Sequence, residues 1–203
     1  MRIGLYGGSF DPIHFGHLIS ARSVAEQLSL EKIVLIPCGQ PPHKRDRVLT
    51  DARHRLELLR LAVEGDPLFE VDDREVRQPG PSYTIQSVDA YREQFGDVAE
   101  LFWIIGADSL PELPTWHRVG ELVERVQIVT AVRPGFAAPP ADLLKKAVGS
   151  ESAEQLLKHC LHTPEIDISA SDLRRRIHSG RSIRYLVPES ARSYIDLHNL
   201  YRA

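Results

Sequence analysis

Short apolar runs and helical patterns take turns along this chain, and few folds satisfy that alternation. The runs are Arg2 to Tyr6, Lys32 to Pro37, Leu68 to Asp72, Glu100 to Gly106 and Val126 to Val132, each of strand length. Between the first two, Leu18, Ala21, Val24, Ala25 and Leu28 fall on one helical stripe. A second amphipathic helix is predicted from Asp51 to Val63, with Leu56, Leu59 and Val63 inward and Thr50 or Asp51 as N-cap, and a third from Thr84 to Phe95. Strands separated by helices need crossover connections, which join parallel strands. The expected fold class is therefore α/β, a Rossmann-like, doubly wound parallel sheet.

After the fifth run, Pro134, Gly135, Pro139 and Pro140 break the pattern. Ala141 to Leu157 then reads as one or two helices outside the main alternation, so a helical insertion is expected near residues 137–158. The C-terminal part, residues 169–203, is predicted to be helical. It holds a helix from Ser171 to His178, a turn at Gly180, and a last helix that starts with Pro188 in its first turn and ends near Leu197. No internal repeat interrupts this order.

The chain has 203 residues, 42% hydrophobic and 26% charged, enough for one well-buried core and too little for two large domains, so residues 1–203 are expected to form a single domain. The formal charge of -3 supplies no global basic field, which argues against a long nucleic acid as partner and makes any phosphate binding local. Met1 leads straight into a strand-like run rather than a signal peptide, and no segment approaches the roughly 20 apolar residues of a membrane helix. A cytoplasmic location without membrane contact is the expectation. Cys38 and Cys160 cannot form a disulfide framework and lie in no Cys-x-x-Cys pair, so both are expected as free thiols. No exposed heptad or apolar stripe declares an oligomer, and a homo-oligomer stays open.

Ligands of open parallel sheets collect at the carboxyl ends of the strands. Directly after the first strand stands Gly7-Gly8-Ser9-Phe10-Asp11-Pro12-Ile13-His14-Phe15-Gly16-His17. Paired glycines let backbone approach a phosphate, and free N-H groups at a helix start favour an anion. His14 and His17 are three apart, so in a helix starting near His14 both imidazoles share one face and can donate to the same phosphoryl oxygens. The plainer alternative is a capped turn with two solvent-exposed histidines. Near the C-terminus, Ile168-Ser169-Ala170-Ser171-Asp172-Leu173-Arg174 sets hydroxyls at a helix start and an arginine three residues on, which makes either a small anion site or an ordinary N-capped basic helix.

The first motif resembles the HxGH signature of the nucleotidyltransferase superfamily, and Gly8-Ser9-Phe10-Asp11-Pro12 with His14 and His17 fits its adenylyltransferase branch. The resemblance continues at Pro41-Pro42-His43-Lys44 and at Ile168 to Arg174, which looks like the family's ISSTxIR phosphate motif with Ala170 and Ser171 where serine and threonine are commoner. Ser82-Tyr83-Thr84, Gly106-Ala107-Asp108-Ser109 with Leu113 to His117, and Ser182 to Pro188 resemble the bacterial nicotinate-nucleotide adenylyltransferases. This resemblance implies that Gly7, Gly8, Ser9, Phe10, His14, His17, Gly106, Asp108, Ile168, Ser169, Ser171 and Arg174 bind ATP. It implies that Ser9, His43, Lys44, Thr84, Asp108, Trp116, His117 and Arg133 meet the acceptor nucleotide. His14, His17, Lys44 and Arg174 would then neutralise charge on the reacting phosphoryl groups.

Physical chemistry is compatible with these assignments, though several side chains admit plainer roles. Trp116 offers a flat face for a pyridine ring or fills a core; Asp108 can accept from ribose hydroxyls; Thr84 and nearby amides can hold a carboxylate at a helix start. Arg133, just past the fifth run, can meet nucleotide, a helix C-cap or a surface partner. Of Arg174, Arg175 and Arg176, one is expected as a ligand and the others as a solvated face. His159, Cys160 and His162 lack a second ligand pair, so no protein-held metal site is expected; Mg²⁺ is expected on the ATP phosphates. The expected substrates are ATP and nicotinate mononucleotide. Rivals are a sister enzyme taking phosphopantetheine or nicotinamide mononucleotide, a non-catalytic nucleotide sensor, and, more remotely, a class I aminoacyl-tRNA synthetase relative lacking its anticodon domain.

Overall fold

The computed structural model describes residues 1–41, 49–132 and 139–202. The chain opens with β1 (Arg2–Gly8), α1 (Phe15–Leu28), β2 (Lys32–Pro37) and α2 (Ala52–Val63). It continues through β3 (Phe69–Val71), the short α3 (Arg74–Arg77), α4 (Thr84–Phe95), β4 (Glu100–Gly106), α5 (Val119–Arg125) and β5 (Gln127–Val132). Beyond lie α6 (Ala141–Val148), α7 (Ser150–Lys158), β6 (Cys160–His162), α8 (Ala170–His178) and α9 (Glu189–Leu197). The strands form one sheet in the order β3-β2-β1-β4-β5-β6, with every neighbouring pair parallel. This is the doubly wound Rossmann-like order, in which the chain leaves β1 toward one edge and returns at β4 to build toward the other.

Side chains alternate across the strands and so supply two cores. Tyr6, Ile33, Leu35, Phe102, Ile104 and Val129 face one layer, where α1, α2, α8 and α9 contribute Val24, Leu59, Leu173 and Ile195. Ile3, Leu5, Val34, Ile36, Trp103 and Ile105 face the other, against Ile85 and Val88 of α4, Leu122 of α5, Leu144 of α6 and Leu156 of α7. Strands buried on both faces read as continuous apolar runs, which is why β2 and β4 have the predicted bounds. Asp51 caps α2, its carboxylate accepting from the Arg53 amide at 2.8 Å.

Two expectations about the C-terminal half need correction. Residues 141–158 are helical, as expected, yet they do not lie outside the alternation: α6 and α7 lead directly from β5 into a sixth parallel strand, which makes them its crossover. That strand is three residues long and carries Cys160 and His162, so it has neither the length nor the apolarity that marks a strand in sequence. Pro188 precedes the last helix as its N-cap, with ψ 143°, instead of opening its first turn. No described helix is long and apolar enough to cross a membrane.

Candidate active site

The carboxyl end of β1 and the start of α1 are joined by Ser9 to His14. His14 is the N-cap of α1, with an extended backbone, and His17 occupies the third helical position. That spacing folds both rings to one side, where they stack with centroids 3.7 Å apart and planes at 26°. The plainer alternative fails here, since His14 is buried at 4% exposure and His17 is half-buried. The His17 Nδ1 accepts from the backbone N-H of His14 at 3.3 Å. An accepting Nδ1 carries no proton, so the neutral ring holds it on Nε2 and presents a donor away from the backbone. Gly16 makes this arrangement sterically feasible: a Cβ there would lie 2.9 Å from the His14 Nδ1. Phe10 supports the pair from below, edge-on to His17 at 5.2 Å.

The C-terminal motif packs against this loop. The Ile168 carbonyl lies 3.5 Å from where a Gly16 Cβ would stand, and Arg174 donates to the Asp11 carbonyl at 2.5 Å. Ser169 caps α8 by accepting from the Asp172 amide at 3.1 Å, and Ser171 accepts from Arg174 Nη2 at 2.9 Å. Both hydroxyls therefore order the helix start and its arginine, which leaves Arg174 held against Asp11 of the loop that carries His14. Arg175 pairs with Asp172 and Arg176 donates to the Ser182 carbonyl. The C-terminal motif thus meets the first one because α8 lies on the α1 side of the sheet.

On the other side of β1 a cleft opens over the carboxyl ends of β1 and β4. Gly7, Gly8 and Ser9 form its floor with Gly106; Thr84, Trp116 and His117 are among its walls. Trp116 is half-buried, packing on the core yet lining the cleft, and the His117 ring lies tilted at 35° against Tyr83 with centroids 4.4 Å apart. Thr84 is the first residue of α4, whose N-terminus has no side-chain cap and opens at the cleft. Asp108 is exposed at the edge, in a 3-10 turn over Ala107–Ser109, with Oδ1 2.6 Å from where a Gly106 Cβ would stand. His43, Lys44 and Arg133 lie outside the described residues. So does the predicted break at Pro134 and Gly135.

Two site residues escaped the sequence analysis. Arg55, buried at 1% exposure in α2, donates to the carbonyls of Ser9 at 2.8 Å, Cys38 at 2.7 Å, Gly39 at 3.3 Å and Thr50 at 2.9 Å. It ties the loop after β1 to the loop after β2. Its one signal in sequence is its place four residues before Leu59, a charge on an apolar stripe. The other is Glu75, buried at 5% exposure and lining the cleft. Ser87 donates to its carboxyl at 2.5 Å, and Ser82, whose Oγ accepts from the Gly39 amide at 3.0 Å, bonds it as well. Burial pushes the Glu75 carboxyl above its ordinary range, against the opposing pull of the two serines. In sequence it sits among Asp72, Asp73 and Arg74, where it looks like surface.

Among the described residues no group of three or more histidine, cysteine or acidic side chains is placed to hold a metal ion. Arg174 is a permanent donor, and an imidazole donates from its protonated nitrogen, so His14, His17 and Arg174 can all serve phosphate oxygens.

The family model described as cytidylyltransferase-like matches residues 5–176. The probable nicotinate-nucleotide adenylyltransferase of Thermomicrobium roseum is 42% identical over 201 residues, which cover 99% of this chain and 92% of that protein. Its counterpart in Moorella thermoacetica is 36% identical over 201 residues, with the same coverage of 99% and 92%. In fold, the chain is similar to Plasmodium falciparum nicotinic acid mononucleotide adenylyltransferase complexed with APC, with a TM-score of 0.75 at 19% identity over 98% of this chain and 96% of that one. A parallel sheet with stacked imidazoles at the end of its first strand, an arginine from a C-terminal helix bonded to the same loop, and the family match over residues 5–176 together mark a nucleotidyltransferase. Identity of this extent along the whole chain narrows the class: the chain belongs to the nicotinate-nucleotide adenylyltransferase family.

Proposed function

We propose that this protein transfers the adenylyl group of ATP to nicotinate mononucleotide, giving deamido-NAD and pyrophosphate, a step of NAD biosynthesis. The observation that carries this is the position of the stacked His14 and His17 at the carboxyl end of β1, between the α8 motif on one side and the Trp116 cleft on the other. Such a site receives a triphosphate on the histidine side and an aromatic mononucleotide in the cleft.

The chemistry is an in-line displacement. A phosphate oxygen of the mononucleotide forms a bond to the α-phosphorus of ATP; the bond from that phosphorus to the bridging oxygen of the β-phosphate breaks, and pyrophosphate leaves with the electron pair. The attacking phosphate is already ionised near neutral pH, so no general base is required, and rate comes from alignment and from donors aimed at the phosphoryl oxygens. His17 donates through Nε2, the atom left protonated by its bond to the backbone. His14 stacks on it, Arg174 is bonded to the same loop at Asp11, and Lys44 is a further candidate cation. Mg²⁺ bound to ATP would add further charge neutralisation on the phosphates, with no ligand required from this chain.

The acid form of the mononucleotide is favoured by the uncapped N-terminus of α4 at the cleft, where amide groups and Thr84 can receive a carboxylate. Pyrophosphate release with MgATP and, in turn, nicotinate mononucleotide, nicotinamide mononucleotide and phosphopantetheine tests both parts. Preference for the nicotinate form is expected. Turnover with phosphopantetheine alone would move the protein to a sister enzyme, and ATP binding without any pyrophosphate would make it a sensor.

A further inference from the structure

After α9 the chain returns to the site. Asn199 and Tyr201 both take left-handed backbone, at φ 51° and 63°, and this double reversal turns the Tyr201 ring inward against the core layer of α1 and α2. Its hydroxyl donates to Asp11 Oδ1 at 2.9 Å and also bonds Thr50. Asp11 is 2% exposed, and its Oδ2 lies 4.0 Å from Arg174 Nη1. It occupies the middle of the phosphate loop, one residue after Phe10, which supports His17, and three before His14.

We propose that Tyr201 is a positioning residue for adenylyl transfer, acting through Asp11 on the histidines and Arg174. The role rests on the function proposed above. A buried carboxylate needs partners to stay in place, and Asp11 has a hydrogen bond from the Tyr201 hydroxyl beyond α9 and an ion pair with Arg174 of α8 at 4.0 Å. Its own carbonyl meanwhile holds the Arg174 guanidinium. Removing the hydroxyl leaves the carboxylate to find another partner, which drags Asp11 and the loop on either side of it. Burial and the neighbouring Asp11 charge raise the Tyr201 phenol above its ordinary value, so it remains a donor wherever the enzyme works. The consequence falls on the histidine side of the site and spares the Trp116 cleft.

The test compares wild type, Tyr201→Phe, Asp11→Asn and the double variant for kcat, for KM of each substrate, for melting temperature, and for the imidazole NMR signals of His14 and His17. Tyr201→Phe deletes a single oxygen and Asp11→Asn keeps the side-chain shape, so both should fold. For Tyr201→Phe the expected loss is about tenfold in kcat, the scale of one hydrogen bond to a charged acceptor, with KM for the mononucleotide unchanged. The double variant should lose less than the two single losses added together, because Asp11→Asn, whose Oδ1 still accepts but without charge, already weakens the bond that Tyr201→Phe removes. Imidazole signals should shift in the same direction in both single variants. Additive losses, or unmoved imidazole signals, or a lowered melting temperature with kcat retained, would each overturn the positioning role. A wild type that releases no pyrophosphate counts against the proposed function instead, and the imidazole signals still decide whether Tyr201 orders the loop.

Discussion

His17 has two bonds to make and two nitrogens to make them with. Nδ1 accepts from the His14 amide, which fixes the tautomer and aims the Nε2 proton outward. Alanine at this position removes the donor and loosens the helix start, but takes no bulk from either core. His17→Ala should therefore lower kcat by about 10² to 10³ while the melting temperature stays close to wild type, checked by pyrophosphate release and a thermal scan. Retention of full turnover would remove His17 from the phosphate site. At this scale the sequence was most readable where a residue type has few other uses: two histidines around a glycine, at a strand-to-helix junction, have little reason to coincide otherwise. Arg55 and Glu75 were not legible, because a lone charge in a helix usually points to water. Only packing from other elements reveals that these two do not.

Among the elements, α2 shows how one side chain can serve two loops. Its amphipathic pattern gave its bounds, and Asp51 behaves as the cap that the pattern called for. What periodicity could not convey is that Arg55 runs under the sheet's carboxyl edge and collects carbonyls from the ends of both β1 and β2. Arg55→Met should cost about 3 kcal/mol or more, since several buried carbonyls lose their donor at about 1 to 3 kcal/mol each, and urea denaturation measures it. Arg55→Lys should recover little, because an ammonium is not the planar fork that reaches several acceptors together. Full rescue by lysine would mean that charge, and not the fork, holds the loops. The helices that sequence missed, α3 and α5, span only Arg74–Arg77 and Val119–Arg125, too short for a periodic signal to rise above chance.

For the molecule as a whole, alternation of runs predicts a parallel sheet but not which strand lies beside which. The switch from β1 to β4 at the centre, which opens the cleft between the two halves, is a tertiary fact. The same holds for pH behaviour, because it depends on groups that the fold brings together or buries. Asp51 is lowered to about 2, first by the Arg53 side chain and then by its amide. Its contribution is present above the ordinary carboxylate value of 3.8 and is lost as pH falls through about 2. Glu75 works in the opposite sense. Burial raises its carboxyl above the ordinary 4.5, so below that value both folded and unfolded chains hold the proton and no penalty exists. As pH rises past 4.5 the unfolded chain releases its proton first, and stability declines until the folded carboxyl also ionises. Glu75→Gln keeps a neutral partner for Ser82 and Ser87 and cannot ionise. Melting temperatures of the variant and wild type, compared at about pH 4 and about pH 7.5, should differ more in the variant's favour at the higher pH. Any constant cost of the amide cancels in that comparison. An equal difference at both pH values would mean that Glu75 ionises alike in the folded and unfolded chains, and that its serine partners fully offset its burial.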